Sequence, residues 1–171
     1  MSEKMRSKGF DGMACSIAEV MGAVNDRWGL LVMRDLLLGL TRFDDLRRSS
    51  GVTNATLSDR LKGLEASGLV ERRQYQTRPA RYEYVPTEKG QDLAMLMLAL
   101  VQVGDKWRRR QGQGVPLRFV DAGSSHVLRL ATIDADTGAI LTAPKIAVEA
   151  GPGADEIMGW RIARGREGRT G

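Results

Sequence analysis

Two short amphipathic segments joined by Gly51 constrain the fold of this chain more strongly than any other feature of its sequence. Thr41 is expected to cap the first segment, and Gly51 is expected to end it, because glycine adopts the left-handed conformation that commonly follows a helix. Thr53 is expected to cap the second segment, in which three leucines recur at helical spacing. Two short helices joined by a glycine-containing turn predict a helix-turn-helix. The three leucines are Leu57, Leu61 and Leu64.

The segments on either side complete a winged arrangement. Residues 69–75 and 82–85 are rich in β-forming side chains and are joined by a basic turn that contains Pro79, which predicts a hairpin. Two further helices are expected upstream, over 15–25 and 28–38, and the apolar character of the second places it in the centre of the domain. Asn25 or Asp26 is expected to cap it.

A long helix is predicted over 88–110, with Thr87 as its cap. It is apolar on more than one side, so its own domain can cover only part of it, and a second subunit is the economical source of the rest. The predicted fold class is therefore α+β: a winged helix-turn-helix domain with a long C-terminal dimerisation helix, followed by a small β-rich appendage.

The pattern changes after residue 112. Short alternating stretches are separated by turn signals at Asp136-Thr137-Gly138 and Gly151-Pro152-Gly153. We divide the chain into a winged-helix and dimerisation domain over 1–112, a small β-rich extension over 115–160, and a Gly- and Arg-rich basic tail over 161–171. The tail is predicted to be disordered.

Charge and composition exclude several classes of protein. One cysteine and one histidine allow neither an intrachain disulfide nor a four-ligand Cys/His zinc site within one chain. No apolar run is long enough to span a membrane and no secretory signal is recognisable, so we expect a cytoplasmic protein. The net charge is +5, and the nine basic against five acidic residues between positions 40 and 81 account for most of it, which favours an anionic partner.

The outward side of the second helix of the helix-turn-helix carries side chains suited to the major groove. Asparagine pairs bidentately with adenine, threonine and alanine contact the thymine methyl group, and arginine or lysine donates to guanine or phosphate. An aspartate on this side can accept from cytosine or orient a neighbouring arginine. The candidate recognition residues are Thr53, Asn54, Ala55, Thr56, Ser58, Asp59, Arg60 and Lys62.

Basic residues around this helix are candidates for contacts with the DNA backbone. Thr77, Arg78 and Arg81 lie at the tip of the predicted wing, where the arginines can enter the minor groove or neutralise phosphates. A second group of candidate phosphate contacts lies near the first helix of the helix-turn-helix. It consists of Arg42, Arg47 and Arg48.

Residues 15–107 resemble the HxlR family of winged-helix regulators, which is related to the MarR family. The resemblance rests on WGLLVMR at 28–34, LLLGLTRFDDL at 36–46, LSDRLKGL at 57–64, EASGLVE at 65–71 and YEYVPTEKG at 82–90. It implies a homodimer built largely from the first and last helices, with each recognition helix in one half of a pseudo-palindromic operator.

Cys15 stands at the predicted start of the first helix, where the positive end of the helix dipole can lower the pKa of a thiol. The family resemblance implies a cysteine that responds to oxidants or electrophiles. Because no second cysteine is present, modification would produce a bond between subunits, an adduct with a small thiol, a sulfenic acid or an alkylated sulfur. The alternative is a small packing residue at a dimer interface.

These observations predict a homodimeric transcriptional regulator, in its expected role a repressor, that binds double-stranded DNA and responds to thiol modification of Cys15 or to a small effector. Nothing in the sequence points to an enzyme, a cofactor, a metal site or a membrane partner. The alternative is a protein-interaction module in which the winged helix is a scaffold and the β unit after residue 114 is the working surface.

Overall fold

A computed structural model of the protein describes Phe10 and residues 12–168. These residues form seven helices and four strands. Their order along the chain is α1 (Ser16–Val24), α2 (Arg27–Leu37), α3 (Phe43–Ser50), α4 (Asn54–Ala66), β1 (Val70–Thr77), β2 (Ala80–Pro86), α5 (Glu88–Gln91), α6 (Leu93–Arg110), β3 (Thr132–Ile133), β4 (Ile140–Leu141) and α7 (Glu156–Glu167).

Helix α2 lies at the centre of the core, as its apolar composition predicts. Val32 and Met33 are almost completely buried, and they lie in the same hydrophobic cluster as the three leucines of α4. Burying each of these leucines stabilises the fold by roughly 1.5–3 kcal/mol. The polar side of α4 is thereby turned outward. The other buried members of the cluster are Val24, Leu36, Leu46, Leu69, Val70, Leu93 and Met97.

Three of the predicted helix caps are confirmed. Asp26 Oδ1 accepts hydrogen bonds from the backbone N–H groups of Trp28 and Gly29, both at 2.9 Å. Thr53 Oγ1 accepts from a backbone N–H in the first turn of α4, and Thr87 Oγ1 does the same for α5. Each cap satisfies a donor that the helix itself leaves unpaired.

The expected cap of α3 is wrong. Arg42, not Thr41, is the N-cap residue, and no side chain caps this helix. The Thr41 carbonyl instead accepts a 2.8 Å hydrogen bond from the backbone N–H of Tyr84 on β2, next to the isolated bridge between Arg42 and Glu83. At the other end, Gly51 has a φ of +69° and ends the helix as predicted.

Strands β1 and β2 form the antiparallel wing. Their register runs from Val70 opposite Pro86 to Thr77 opposite Ala80, so both strands are longer than the sequence predicts. The register shifts between Gln74 and Gln76, which leaves Tyr75 in a β-bulge. The wing follows α4 directly and is therefore fixed next to it.

The single helix predicted over 88–110 is interrupted at Asp92, which separates α5 from α6. Asp92 keeps right-handed helical backbone angles, so the interruption is local. The domain covers this apolar helix only in part, as predicted. Leu93 and Met97 are buried against the core, whereas other apolar residues of α6 are exposed.

The segment after Gly114 contains less β structure than predicted. Two strands of two residues each, β3 and β4, pair with one another, and an isolated bridge joins Val120 to Val127. The alternating stretches therefore form hairpins with short ladders. With the wing and the helices described above, the α+β winged helix-turn-helix with a small C-terminal β unit is confirmed as the fold class.

The prediction of a disordered tail is wrong for residues 161–167, which belong to α7. Asp155 Oδ1 caps this helix through the backbone N–H of Met158 at 2.7 Å. Arg164 forms an ion pair with Glu167 at 2.7 Å in the last turn, where a basic side chain also suits the helix dipole. These local contacts outweigh the glycine content. Residues 169–171 of the predicted tail lie outside the described residues.

Two aspartates shape the turns of this segment. Hydrogen bonds from Ser124 hold the pKa of Asp121 below its usual value, the side-chain bond having the largest effect. The backbone N–H of Thr137 has the same influence on the pKa of Asp134. Both carboxylates therefore stay ionised and hold their turns well below neutral pH.

Candidate nucleic-acid interface

The outward side of α4 presents the expected polar surface. Asn54, Ala55, Asp59 and Lys62 are exposed, and they lie opposite the buried leucines. Because α4 is held by those leucines on one side only, this exposed side is free to approach a groove. Thr56 and Ser58 are half-buried at its edges.

The hydroxyl groups at the start of α4 are already engaged. Thr53 Oγ1 accepts from the backbone N–H of Thr56 at 3.2 Å, and the two hydroxyl oxygens are 3.0 Å apart. Both residues therefore support the helix start, which presents Asn54 and Ala55 beside them.

Arg60 has an internal partner. Its Nη2 atom forms a 2.8 Å ion pair with Oδ2 of Asp26, the residue whose other oxygen caps α2. The Nε atom of Arg60 is buried without a partner in the part of the chain that the structure describes. Arg60 thus ties α4 to the start of α2, and its predicted contact with DNA stays a prediction.

The three arginines near α3 differ in their surroundings. Arg47 and Arg48 are exposed on the helix. Arg42 instead stacks on the wing, with its Cζ atom 3.3 Å from the centroid of the Tyr75 ring, and its Nη2 atom is 3.8 Å from a carboxylate oxygen of Glu83. Such cation–π contacts stabilise by about 0.5–2 kcal/mol. Arg42 therefore joins α3 to the wing.

The wing tip is exposed as predicted. Thr77, Arg78 and Arg81 all lie on the solvent side of the turn between β1 and β2. Nearer the base of the wing, Cζ of Arg72 lies 4.5 Å from the centroid of the Tyr82 ring. Arg78 and Arg81 at the tip therefore lie beyond the two arginine–tyrosine contacts of the wing.

The sequence interpretation missed the roles of three residues. The sequence predicts Asp26 only as a cap, because its ion pair with Arg60 is a long-range contact that no local pattern encodes. Tyr75 and Glu83 hold Arg42 across the wing. The sequence offers one signal for the contact between Arg42 and Tyr75, namely an arginine and a tyrosine that can stack on each other.

Cys15 is the N-cap residue of α1 and is half-buried, and its side chain makes no capping hydrogen bond. Among the described residues, no group of three or more His, Cys, Asp or Glu side chains is placed to hold a metal ion. No helix in the same part of the chain is both long and apolar enough to cross a membrane.

A helix-turn-helix whose polar recognition side is exposed, followed by a basic two-stranded wing, defines the winged helix-turn-helix class of protein. The model of the HxlR-like helix-turn-helix family matches residues 23–112. The chain belongs to this family, as the motifs at 28–34 and 57–64 indicate, and it is a transcriptional regulator with a helix-turn-helix DNA-binding fold.

Individual relatives agree with this assignment. An uncharacterized HTH-type transcriptional regulator of Mycobacterium tuberculosis is 37% identical over 139 residues, which are 81% of this chain and 87% of that protein. A solved structure from Pseudomonas aeruginosa, assigned as a transcription factor, has a TM-score of 0.58 and 38% identity, and the match covers 86% of this chain and 99% of that chain. The redox regulator HypR in its reduced form has a TM-score of 0.52 and 26% identity, with 57% of this chain and 98% of that chain covered.

Proposed function

We propose that the protein is a homodimeric repressor that binds a pseudo-palindromic operator through α4 and the wing. The observation that carries this proposal is the exposed polar side of α4, flanked by the free arginines of α3 and of the wing tip. In this assignment Asn54 and Lys62 contact base edges, whereas Arg47, Arg48 and Arg78 contact phosphates or the minor groove. The regulator family to which the chain belongs supports DNA as the partner.

Exposed apolar residues support the homodimer. On α6, Met95 and Trp107 each expose 61% of their surface, and Val103 lies between them at helical spacing. On α1, Ile17 and Met21 are exposed as well. Single exposed apolar residues are common, but a continuous stripe along a helix marks an interface. Pairing of these helices in a second copy would cover the side of α6 that the core leaves open.

Cys15 is the proposed sensor of the regulator. Its place at the N-cap of α1 puts the thiol at the positive end of a helix dipole and on an element of the proposed dimer interface. The structural likeness to HypR, a redox regulator, supports a response to oxidants or electrophiles. Modification of the thiol would then change how the two copies of α1 pack. A small effector is the second way in which the dimer could be controlled.

A band-shift experiment on the DNA upstream of the gene tests the proposal. We expect salt-dependent binding by the wild type and at least tenfold weaker binding by Arg78→Ala, since the wing tip loses a phosphate contact. Lys145→Ala removes an exposed charge from the C-terminal segment and is the matched control. Equal affinity of all three proteins would contradict the assigned interface.

The same assay tests the sensor. A thiol oxidant should release DNA from the wild type and leave the Cys15→Ser variant bound, whereas equal responses would dismiss Cys15 as the switch.

Selection from a random duplex pool tests the alternative function. Recovery of no preferred sequence would favour a protein-interaction module built on the C-terminal segment.

A further inference from the structure

A cavity of about 430 Å³ lies between the C-terminal half of α6 and the hairpin formed by residues 117–130. Sites for small molecules are typically roughly 300–1,000 Å³ in volume, so this cavity is large enough for one. It does not involve α4 or the wing, and it therefore lies outside the proposed DNA interface.

The two walls of the cavity are fastened to each other. The side-chain amide of Gln102 on α6 donates to the carbonyl of Leu130 at 3.1 Å and accepts from the backbone N–H of the same residue at 3.0 Å. Arg108 Nε donates to the carbonyl of Gly114 at 2.9 Å, where the chain leaves the helix. The cavity is thus a preformed feature, which lowers the entropic cost of binding a ligand.

Four cationic side chains line this cavity and only one carboxylate accompanies them. The carboxylate is that of Asp105, which is 13% exposed and whose Oδ2 atom lies 3.8 Å from Arg109. Within the described part of the chain, the other three cations have no ion-pair or hydrogen-bond partner. They are Lys106, Arg118 and Arg129.

The hairpin register concentrates two of these charges. Val120 bridges to Val127, and the backbone N–H of Leu128 donates to the carbonyl of Phe119 at 2.9 Å. Arg118 and Arg129 are the chain neighbours of Phe119 and Leu128 on the two sides of this contact, where the ladder ends, and both line the cavity. A bound anion between two like charges would offset their repulsion.

Apart from Gln102, the rest of the lining is apolar. A surface that only tracks a DNA backbone needs positive charge and no apolar wall, so the combination favours a ligand with both an anionic group and an apolar body. We propose that this cavity binds small amphipathic organic anions, namely acyl or aromatic carboxylates, with Arg118 and Arg129 holding the carboxylate. The apolar lining residues are Leu98, Val101, Leu117, Phe119, Val127 and Leu128.

Calorimetric titration of the full chain tests this site with four probes. Octanoate represents acyl carboxylates and 1-naphthoate represents aromatic ones, whereas acetate lacks the apolar body and 1-naphthalenemethanol lacks the charge. We expect saturable binding of octanoate or naphthoate and no measurable binding of the other two. The stronger of the two binders assigns the acyl or the aromatic class.

Three variants place the binding in this cavity. Arg118→Gln and Arg129→Gln should each lower the affinity for the carboxylate roughly tenfold, because each loses a charge-assisted hydrogen bond. Lys106→Gln lies on α6 and tests the same site independently of the hairpin fold. Lys145→Gln, an exposed cation outside the cavity, is the matched control and should leave the affinity unchanged.

Two results would overturn the proposal: the absence of binding by both carboxylates to the wild type, and equal binding by the wild type and all variants. If neither carboxylate binds and Arg118→Gln and Arg129→Gln also lower both the affinity for duplex DNA and its salt dependence, this surface is a contact with the DNA backbone instead. Ligand binding is measured without DNA, so its failure is distinguishable from failure of the proposed regulator function.

Discussion

At the residue scale, Asp26 uses its two carboxylate oxygens for different contacts. Oδ1 caps α2 through two backbone N–H groups, and Oδ2 pairs with Arg60 of the recognition helix. Since α2 is the centre of the core, this side chain fixes the position of α4 relative to the rest of the domain. Both partners are partly exposed, so the ion pair itself contributes little beyond about 1 kcal/mol.

Substitutions at Asp26 should separate the two contacts. Asp26→Asn keeps an oxygen that can cap α2 and should lower the free energy of unfolding by about 0.5 kcal/mol, whereas Asp26→Ala loses both contacts and should lower it by about 1.5 kcal/mol. Urea denaturation measures both values. In the Asp26→Asn background, Arg60→Ala should cost less than it does in the wild type; equal costs in the two backgrounds would show that the pair is not coupled.

At the element scale, the wing is held to the start of α3 by the side chain of Arg42 and by the backbone hydrogen bond from Tyr84 to Thr41. The β-bulge leaves Tyr75 outside the regular ladder, and the guanidinium group of Arg42 stacks on its ring while lying near Glu83. The sequence predicts Arg42 as a phosphate contact. Its surroundings instead favour a positioning role, in which it sets the angle at which the wing tip meets DNA.

Variants of this contact should change DNA affinity without changing the number of phosphate contacts. Tyr75→Ala and Arg42→Lys should each weaken operator binding about fivefold, because lysine lacks the planar group that stacks, whereas Tyr75→Phe should bind like the wild type. The salt dependence of binding should be the same in all four proteins. Arg42→Gln removes the charge that Arg42→Lys keeps, and a salt dependence reduced by about one phosphate in Arg42→Gln would return Arg42 to the phosphate contacts.

The parts of the fold that the sequence predicts are those encoded by local spacing. The leucines of α4 recur at helical spacing, and the caps Thr53 and Thr87 accept hydrogen bonds from N–H groups three residues further on. Local spacing is therefore enough to predict both. Arg60 and Asp26 are far apart in the chain, and no periodicity relates them. The helix α7 was missed because its glycines and arginines resemble a disordered tail in composition, whereas its cap and its ion pair act locally.

A glycine contact between elements could not be predicted from spacing either. Gly90 of α5 lies so close to the start of the wing that an added Cβ would be 2.1 Å from the carbonyl oxygen of Leu69. That oxygen also accepts a hydrogen bond from the backbone N–H of Thr87 at 3.0 Å. The close approach fixes α5, and the helix α6 that follows it, against the start of β1.

Gly90→Ala should therefore be severely destabilising. Either the wing or α5 must move to admit the methyl group, and we expect a loss of about 3 kcal/mol in the free energy of unfolding. Gly159→Ala is the matched control, because an added Cβ there meets nothing within 4 Å and alanine favours a helix. A melting temperature of Gly90→Ala equal to that of the control would contradict the close packing.

At the scale of the whole molecule, two regions carry most of the exposed large apolar side chains of the described residues. One is the stripe of Met95, Val103 and Trp107 on α6 together with Ile17 of α1, and the other is in the C-terminal segment, where Ile140 and Ile146 are exposed. A stable dimer interface buries about 1,200–2,000 Å², which long helices supply more readily than short hairpins. The helical stripe is therefore the surface at which we expect two copies to associate.

Val103→Asp should convert the dimer to a monomer in sedimentation velocity, because two charges would be buried across the interface without partners. Since Val103 is exposed in the single chain, the folded domain itself should keep its helical circular dichroism. Affinity for a full operator should fall by at least about 100-fold as the two half-sites are no longer bound by linked domains, while affinity for an isolated half-site should not change. Ile146→Asp, an equally apolar and exposed position in the C-terminal segment, is the control and should remain dimeric. If Ile146→Asp is monomeric and Val103→Asp dimeric, the C-terminal segment is the interface and α6 must be covered in another way.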